Sequence, residues 1–148
     1  MPSIIPSYIY TLFASIMVGT IVISVCGLSV SGVKHEAEKQ HLSRLAEYVA
    51  MECTELTSQA PSGNQTFTLY LDLPDLVGNQ RFWMRAENDS SRAWIEAGFG
   101  AVLLSSGLRV YVPVDGAFSG SFVSGSGVVF VSCQSDASGL HITLSGGD

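Results

Sequence analysis

The sequence predicts an α+β protein in which a long N-terminal helix, transmembrane and then amphipathic, precedes a small all-β sandwich of about seven or eight strands. Three observations predict this fold class. Residues 1–33 carry no charged side chain, and a charged helical pattern continues from Lys34 without a glycine or proline break. Residues 60–148 alternate between short apolar runs and turn residues. The expected domains are a transmembrane helix over 1–33, an amphipathic stalk helix over 34–58 and a β-sandwich head over 59–148.

The uncharged N-terminal stretch is longer than the roughly 20 residues that a helix needs to cross a bilayer. A secretory signal peptide has a basic start and a shorter apolar region of about 7 to 15 residues. Here no Lys or Arg precedes the apolar run from Tyr8 to Val33, and that run is too long. We therefore expect a single-pass membrane helix.

One face of this helix carries small residues at steps of four. They leave a shallow groove on which a neighbouring helix can pack. Gly and Ser are also common in transmembrane helices that have no partner. The predicted helix-packing set is Ser15, Gly19, Ile23, Gly27 and Ser31.

The stalk has an apolar stripe at spacings of three and four, with most of its charged residues off that stripe. The stripe has to be buried, either against the protein's own sheet or against a partner helix. Pro61 and Gly63 are expected to end the helix. The predicted stalk-packing set is Leu42, Leu45, Val49, Cys53 and Leu56.

The head begins with a strand, 66–71, in which Phe67, Leu69 and Leu71 alternate with polar residues and Tyr70. This alternation is typical of a half-buried strand. The next two strands are expected to form a hairpin around the turn Asn88-Asp-Ser-Ser91. The further candidate strands are 80–87, 92–97, 101–105, 108–113, 117–123, 128–133 and 140–144.

Composition and motifs favour a protein without catalytic, cofactor-binding or metal-binding residues. The chain has 7 Lys and Arg against 13 Asp and Glu, a net charge of −6, which excludes a basic nucleic-acid surface. His35 and His41 lie on the stalk, and His141 has no catalytic partner at a recognisable spacing. The loop from Asp72 to Asp75 has too few carboxylates for the six to eight oxygens of a calcium site. We expect a protein that is not an enzyme.

The three cysteines differ in their expected environment. Cys26 lies at membrane depth and cannot pair with the other two. Cys53 and Cys133 are candidates for a disulfide, which would close a loop of about 80 residues and stabilise the fold by roughly 4 kcal/mol. The alternative is that both are buried free thiols.

Two features point to opposite membrane orientations. Lys34, Lys39 and Arg44 follow the span, so the positive-inside rule alone places the head in the cytoplasm. Asn64 and Asn88 begin candidate glycosylation motifs, which together with the Gly-, Ser- and Thr-rich head favour an extracellular head.

The layout from Ile4 to Leu144 resembles that of archaeal type IV pilin-like proteins, the superfamily of pilins and archaellum-associated proteins. The local sequence patterns Tyr70-Leu-Asp-Leu-Pro74 and Phe122-Val-Ser-Gly125 are similar to those of their β-sandwiches. The resemblance implies that residues 1–33 form a filament-core or membrane-assembly helix. It also implies an extracellular head that contacts other pilin-like subunits or the surface layer.

The chain departs from processed pilins, because no short basic leader precedes the apolar stretch and no Glu lies early in it. Both a filament subunit and an unprocessed accessory protein therefore stay open. We expect a non-enzymatic structural subunit or accessory component of an archaeal type IV filament, in the cell membrane or in an extracellular filament. The alternative is a monomeric, membrane-anchored ectodomain that binds a ligand or the surface layer.

Overall fold

The computed structural model describes residues 4–59, 65–89, 91–104, 108–137 and 139–147, with side chains from Tyr8 onward. A single helix and seven strands make up this part of the chain. The α+β class, with one long apolar N-terminal helix before a strand-rich domain, is confirmed. The elements are α1 (Ile4–Gln59), β1 (Thr66–Leu71), β2 (Phe82–Asn88), β3 (Ala93–Phe99), β4 (Leu108–Val112), β5 (Ala117–Val123), β6 (Val129–Asp136) and β7 (Gly139–Gly146).

The chain divides into two units, Met1–Ala37 and Glu38–Asp148, which we call the anchor unit and the head unit. In the anchor unit every described side chain, from Tyr8 to Ala37, is exposed. Among the described residues, α1 is the one helix long and apolar enough to cross a membrane, with a mean hydropathy of 2.2 over 18 residues. Length and composition thus make α1 suitable as a membrane anchor.

Hydroxyl groups of the anchor unit are satisfied within its own helix. Ser15 donates to the carbonyl oxygen of Thr11 at 2.8 Å, and Ser31 donates to that of Gly27 at 3.1 Å. Thr20, Ser24 and Ser29 bond in the same way to the carbonyl four residues earlier. These bonds matter in an apolar environment, where a hydroxyl group without a partner is costly.

The seven strands form one hydrogen-bonded sheet in the order β1-β6-β7-β5-β2-β3-β4. All neighbouring strands are antiparallel except β5 and β7, which are parallel. The expected arrangement of two stacked sheets is therefore corrected to a single mixed sheet. The physical reason is that β5 pairs with both β2 and β7, which joins the two halves of the sheet edge to edge.

The core of the head unit lies between α1 and one face of this sheet. Alternate side chains of each strand point to that face. They join buried residues of α1 in one hydrophobic cluster. The largest sheet side chains in the cluster with at most 1 % exposure are Phe82, Met84, Ile95, Phe118, Ile142 and Leu144. A helix thus covers the apolar face that a second sheet would cover in a sandwich.

The segment 101–105 is not the strand that its apolar residues predict, at least over its described part, 101–104. Gly100 has a φ of 106°, which turns the chain at the end of β3. The strand that pairs with β3 starts only later, with Leu108 opposite Ala97. Residues 100–104 therefore form a loop beyond the sheet, and the side chains of Val102 and Leu104 are exposed.

Two local features hold neighbouring strands in place. At the β2–β3 hairpin, the backbone N–H groups of Ser91 and Arg92 donate to the Asp89 carboxylate at 2.8 and 2.7 Å, which lowers the pKa of that carboxyl. In β5, Gly120 has a φ of 113°, and a methyl group there would collide with the backbone carbonyl of Leu144. Gly120 therefore permits the close approach of β5 and β7.

Burial predicts how much each stalk residue stabilises the head unit. Leu42 is 2 % exposed and Met51 is 71 % exposed, although both lie on α1. We expect Leu42→Ala to lower the free energy of unfolding by about 2–5 kcal/mol, because it leaves a cavity in the core. Met51→Ala, the control, should change it by less than about 0.5 kcal/mol.

Urea unfolding of the full chain in detergent micelles, followed by tryptophan fluorescence, measures both values, since both tryptophans lie in the sheet. Equal unfolding midpoints for the two variants would contradict the packing of α1 against the sheet.

Candidate functional site

The stalk-packing residues lie in the core of the head unit. Leu42, Val49 and Cys53 are at most 2 % exposed, and Leu45 and Leu56 are partly buried against the same cluster. The stripe is therefore covered by the protein's own sheet, one of the two alternatives that the sequence left open. Its role within this chain is to complete the core.

Two further core residues on α1 are absent from the predicted set. Ala46 is fully buried and Ala50 is 6 % exposed. Together with Leu42 they lie at steps of four, so they continue one line along the helix face. Their small side chains gave no hydrophobic signal, but the spacing from Leu42 was visible in the sequence.

The predicted helix-packing residues of the anchor unit, Ser15, Gly19, Ile23, Gly27 and Ser31, are all exposed. Methyl groups added at Gly19 or Gly27 would meet no described atom beyond the adjacent helix backbone within 4 Å. Nothing in the described part of the chain covers this face. It is therefore available to lipid or to another helix.

For Cys53 and Cys133 the structure agrees with the second alternative that the sequence left open, free thiols instead of a disulfide. Both cysteines are buried free thiols, and Cys26 is free and exposed. Burial, with smaller contributions from Glu52 and Cys133, raises the pKa of Cys53 to about 12. Burial also raises the pKa of Cys133. The apolar core keeps both groups as neutral thiols, which are poor nucleophiles.

The two candidate glycosylation positions differ in what can be said of them. Asn64 lies outside the described residues. Asn88 is exposed at the end of β2, and its side-chain amide donates to the carbonyl oxygen of Gly116 at 3.2 Å. That hydrogen bond ties the β2–β3 hairpin to the loop before β5.

A charged cluster, which the sequence analysis missed, lies on the sheet face opposite α1. Glu96 is fully buried there. Arg85 donates to its carboxylate at 2.6 Å, and Nε of Arg109 lies 3.7 Å from its other oxygen. Arg85 and Arg109 lie directly opposite Glu96 on the two neighbouring strands. Knowledge of the strand register would have revealed this cluster, but the sequence pattern alone does not.

The aromatic rings beside this cluster are engaged by arginines of the same chain. The Arg109 guanidinium lies 5.3 Å from the centre of the Trp94 ring, and that of Arg92 lies 5.8 Å from the centre of the Tyr111 ring. The two rings pack edge to face, 6.5 Å apart. Each guanidinium occupies one face of its ring, and this contact contributes to packing between the strands.

The largest cavity described in the head unit, about 780 Å³, is an open groove between α1 and β4. Three carboxylates, Glu47, Glu52 and Glu55, line its helical side. Tyr48 and Tyr111 contribute exposed aromatic rings. The groove is therefore acidic and partly apolar.

Among the described residues, no three His, Cys, Asp or Glu side chains converge as metal ligands. Nε2 of His141 lies 3.7 Å from the Asp136 carboxylate at the surface. Comparison of the chain with protein-family models, with curated proteins and with solved structures found no match. Function therefore has to be argued from the architecture itself.

The buried position of Glu96 makes a quantitative prediction. Glu96→Gln should lower the free energy of unfolding by about 2–4 kcal/mol, because it leaves two arginines without their shared anion. Glu87→Gln is the matched control: Glu87 also pairs with Arg85, at 2.9 Å, but its side chain is 36 % exposed. This change should cost less than about 1 kcal/mol. Chemical unfolding of both variants measures the difference, and a larger effect at Glu87 would contradict the central role of Glu96.

The raised pKa of Cys53 predicts a loss of stability at alkaline pH. An exposed thiol titrates near pH 8.5, whereas Cys53 in the folded chain titrates at about 12. As the pH rises, the unfolded chain releases the proton first, so the stabilising contribution is complete below about pH 8.5 and is lost between about 8.5 and 12. The free energy of unfolding, measured from about pH 8 to 11, should fall more steeply in the wild type than in Cys53→Ala. Parallel pH profiles would refute this assignment.

Proposed function

We propose that this chain is a non-enzymatic, pilin-like structural subunit or accessory component of an archaeal type IV filament. Its apolar helix anchors the chain in the membrane and mediates assembly, and its β-rich head lies outside the cell. The partners are other pilin-like subunits, and the head also contacts the surface layer. The mechanism is mechanical.

One observation carries this proposal. A single uninterrupted helix, Ile4–Gln59, supplies an uncovered apolar surface in its first half and a side of the head's core in its second half. The first half has no use for its apolar side chains within the chain. The second half cannot leave the sheet without exposing the core. This division of one helix between assembly and folding fits a subunit that is held by its N-terminal helix.

The anchor unit is also suited to close contact between helices. Gly19 and Gly27 lie on one face, and no other element of the described part of the chain approaches them. In lipid, helix association depends on van der Waals packing between backbones that approach closely, and small residues permit that approach. The serine hydroxyl groups on this face already bond to their own helix, so they add no polar cost there.

A second candidate function is a monomeric, membrane-anchored ectodomain that binds a ligand. The acidic groove between α1 and β4 favours it, because Glu47, Glu52 and Glu55 face exposed apolar and aromatic groups. Charge complementarity makes a cationic ligand with an apolar part the occupant that this groove would hold. The two functions differ in whether the chain associates through its anchor unit.

Replacement of Gly19 or Gly27 with Leu tests this association. We expect each variant to weaken self-association about tenfold, which corresponds to about 1.4 kcal/mol of lost interhelical packing. A Cβ atom added at either position meets no described atom outside the local helix backbone within 4 Å, so there is room for the new side chain in the described part of the subunit. Crosslinking of the protein in membranes and counts of filaments by electron microscopy measure the effect.

Ile21→Leu and Val25→Leu are the matched controls, since they place the same residue at exposed positions outside the packing face. They should associate as the wild type does. If all four variants associate equally, the groove on the helix is incidental and the monomeric ectodomain becomes the better account.

A further inference from the structure

The loops at one end of the sheet are brought together where the chain enters the head unit. Glu38, the first residue of this unit, lies against Gly78, where an added methyl group would overlap its carboxylate. Gly78 lies in the loop between the end of β1 and the start of β2. The loops after β3 and after β5 lie at the same end, because Phe99 and Val123 pair with the first residues of β2. We call this the entry end: loops 72–81, 100–104 and 124–128.

Backbone hydrogen bonds fix these loops to one another. Gly100 donates to the carbonyl oxygen of Arg81 at 2.8 Å. Ser124 donates through its backbone to Phe82 at 2.8 Å, and Phe82 donates to the Ser124 hydroxyl at 2.9 Å. The entry end is therefore a joined platform in which side chains of three loops share one position relative to the sheet.

This platform exposes large apolar side chains from every one of its loops. They belong to four residues in three loops that are far apart in the chain. Two of the loops, 100–104 and 124–128, carry no charged residue. The exposed side chains are Leu76 at 48 %, Val102 at 64 %, Leu104 at 66 % and Val128 at 58 %.

Loop 72–81 of the entry end also exposes charged side chains, Asp72, Asp75 and Arg81, and the opposite end of the sheet differs from the entry end in its lack of exposed large apolar loop residues among those described. Its described loops, 89–92 and 113–116, and the end of β6 expose charged side chains: Asp89, Arg92, Asp115 and Asp136. Exposed large apolar side chains also lie on strands and on α1, for example Phe67 and Tyr111, but those in the described loops of the head unit all lie at the end at which the chain enters. A head unit surrounded by water gains no stability from apolar side chains exposed in the loops of one end. Contact of that end with an apolar phase would remove these side chains from water.

Chain connectivity indicates which apolar phase lies near the entry end. Only four residues, 34–37, separate the last uncharged residue of the anchor unit, Val33, from Glu38. At 1.5 Å per helical residue this tether is about 6–8 Å long. The interfacial layer on each side of a bilayer is about 5–8 Å thick. Glu38, and with it the loop of Gly78 against which it lies, is therefore within reach of the membrane that would hold the anchor unit.

We propose that the entry end of the head unit is a lipid-contacting surface, with Leu76, Val102, Leu104 and Val128 inserted into the interfacial layer of the membrane. This inference rests on the membrane anchoring in the proposed function and adds a second membrane contact to it.

Site-directed fluorescence of the full chain in vesicles tests this surface. In a Cys26→Ser background, Val102→Cys and Leu104→Cys are each labelled with the polarity-sensitive dye NBD. The unmodified Cys26→Ser parent establishes that the buried Cys53 and Cys133 do not react. Asp115→Cys, exposed at the opposite end, is the matched control. The vesicles contain phosphatidylcholine and phosphatidylglycerol, with or without a lipid that carries a nitroxide quencher. A chain labelled at its native Cys26 reports insertion of the anchor unit.

We expect the nitroxide lipid to quench the dye at positions 102, 104 and 26, and to leave the dye at position 115 unchanged. Quenching at position 26 without quenching at 102 and 104 would overturn the lipid-contacting surface and leave the membrane anchor intact. The NBD fluorescence at positions 102 and 104 could instead report an apolar environment only at high protein-to-lipid ratios. That result would assign the surface to contact with a second copy of the chain and would also overturn the inference. Absence of quenching at position 26 would overturn the anchor itself.

Discussion

The burial of one face of α1 against one face of the sheet is the contact on which the head unit depends. The strands form a single sheet, so no second sheet is present to cover Met84, Ile95 and the other apolar side chains on that face. Each large apolar side chain left in water would cost about 1.5–3 kcal/mol. The line of Leu42, Ala46 and Ala50 allows the helix to supply this cover at close range. The stalk part of α1 is therefore needed to complete the core of the head unit.

The opposite face of the sheet combines a row of charged side chains with the buried ring of Trp83, which is 1 % exposed. Arg85, Glu96 and Arg109 form a row across β2, β3 and β4, with the buried carboxylate in the middle. A slip of one residue between these strands would break this row and turn the core side chains outward. Both faces therefore specify the same register. Because the two faces favour the same strand register, the sheet has one preferred pairing of its strands.

The sequence predicted the parts of the fold that depend on local patterns. β1 and β5 have the expected bounds, because alternation and flanking turn residues define them. The apolar run after Gly100 predicted a strand that its described part does not form, because the positive φ of Gly100 directs the chain out of the sheet. The single sheet depends on the parallel pairing of β5 with β7, which joins residues distant in the chain. The sequence gives no sign that Glu96 is buried, because its burial depends on the pairing of β3 with two other strands. Of the candidate sites, the apolar stripe of the stalk was visible in the sequence as a repeat of three and four residues. The sequence did not show that the protein's own sheet covers it.

Two sequence features point away from an extracellular head, and the structure and physical chemistry weaken both. Free cysteines are rare outside the cell because they oxidise there. Cys53 and Cys133, however, are buried, and their raised pKa values keep them protonated and unreactive. The basic residues after the span weigh most when they lie in short loops of up to about 60 residues, whereas long domains cross a membrane largely regardless of charge. The segment after Val33 runs to residue 148 and folds into the head unit. Neither feature therefore argues strongly for a cytoplasmic head, and the export that a filament component requires is compatible with both.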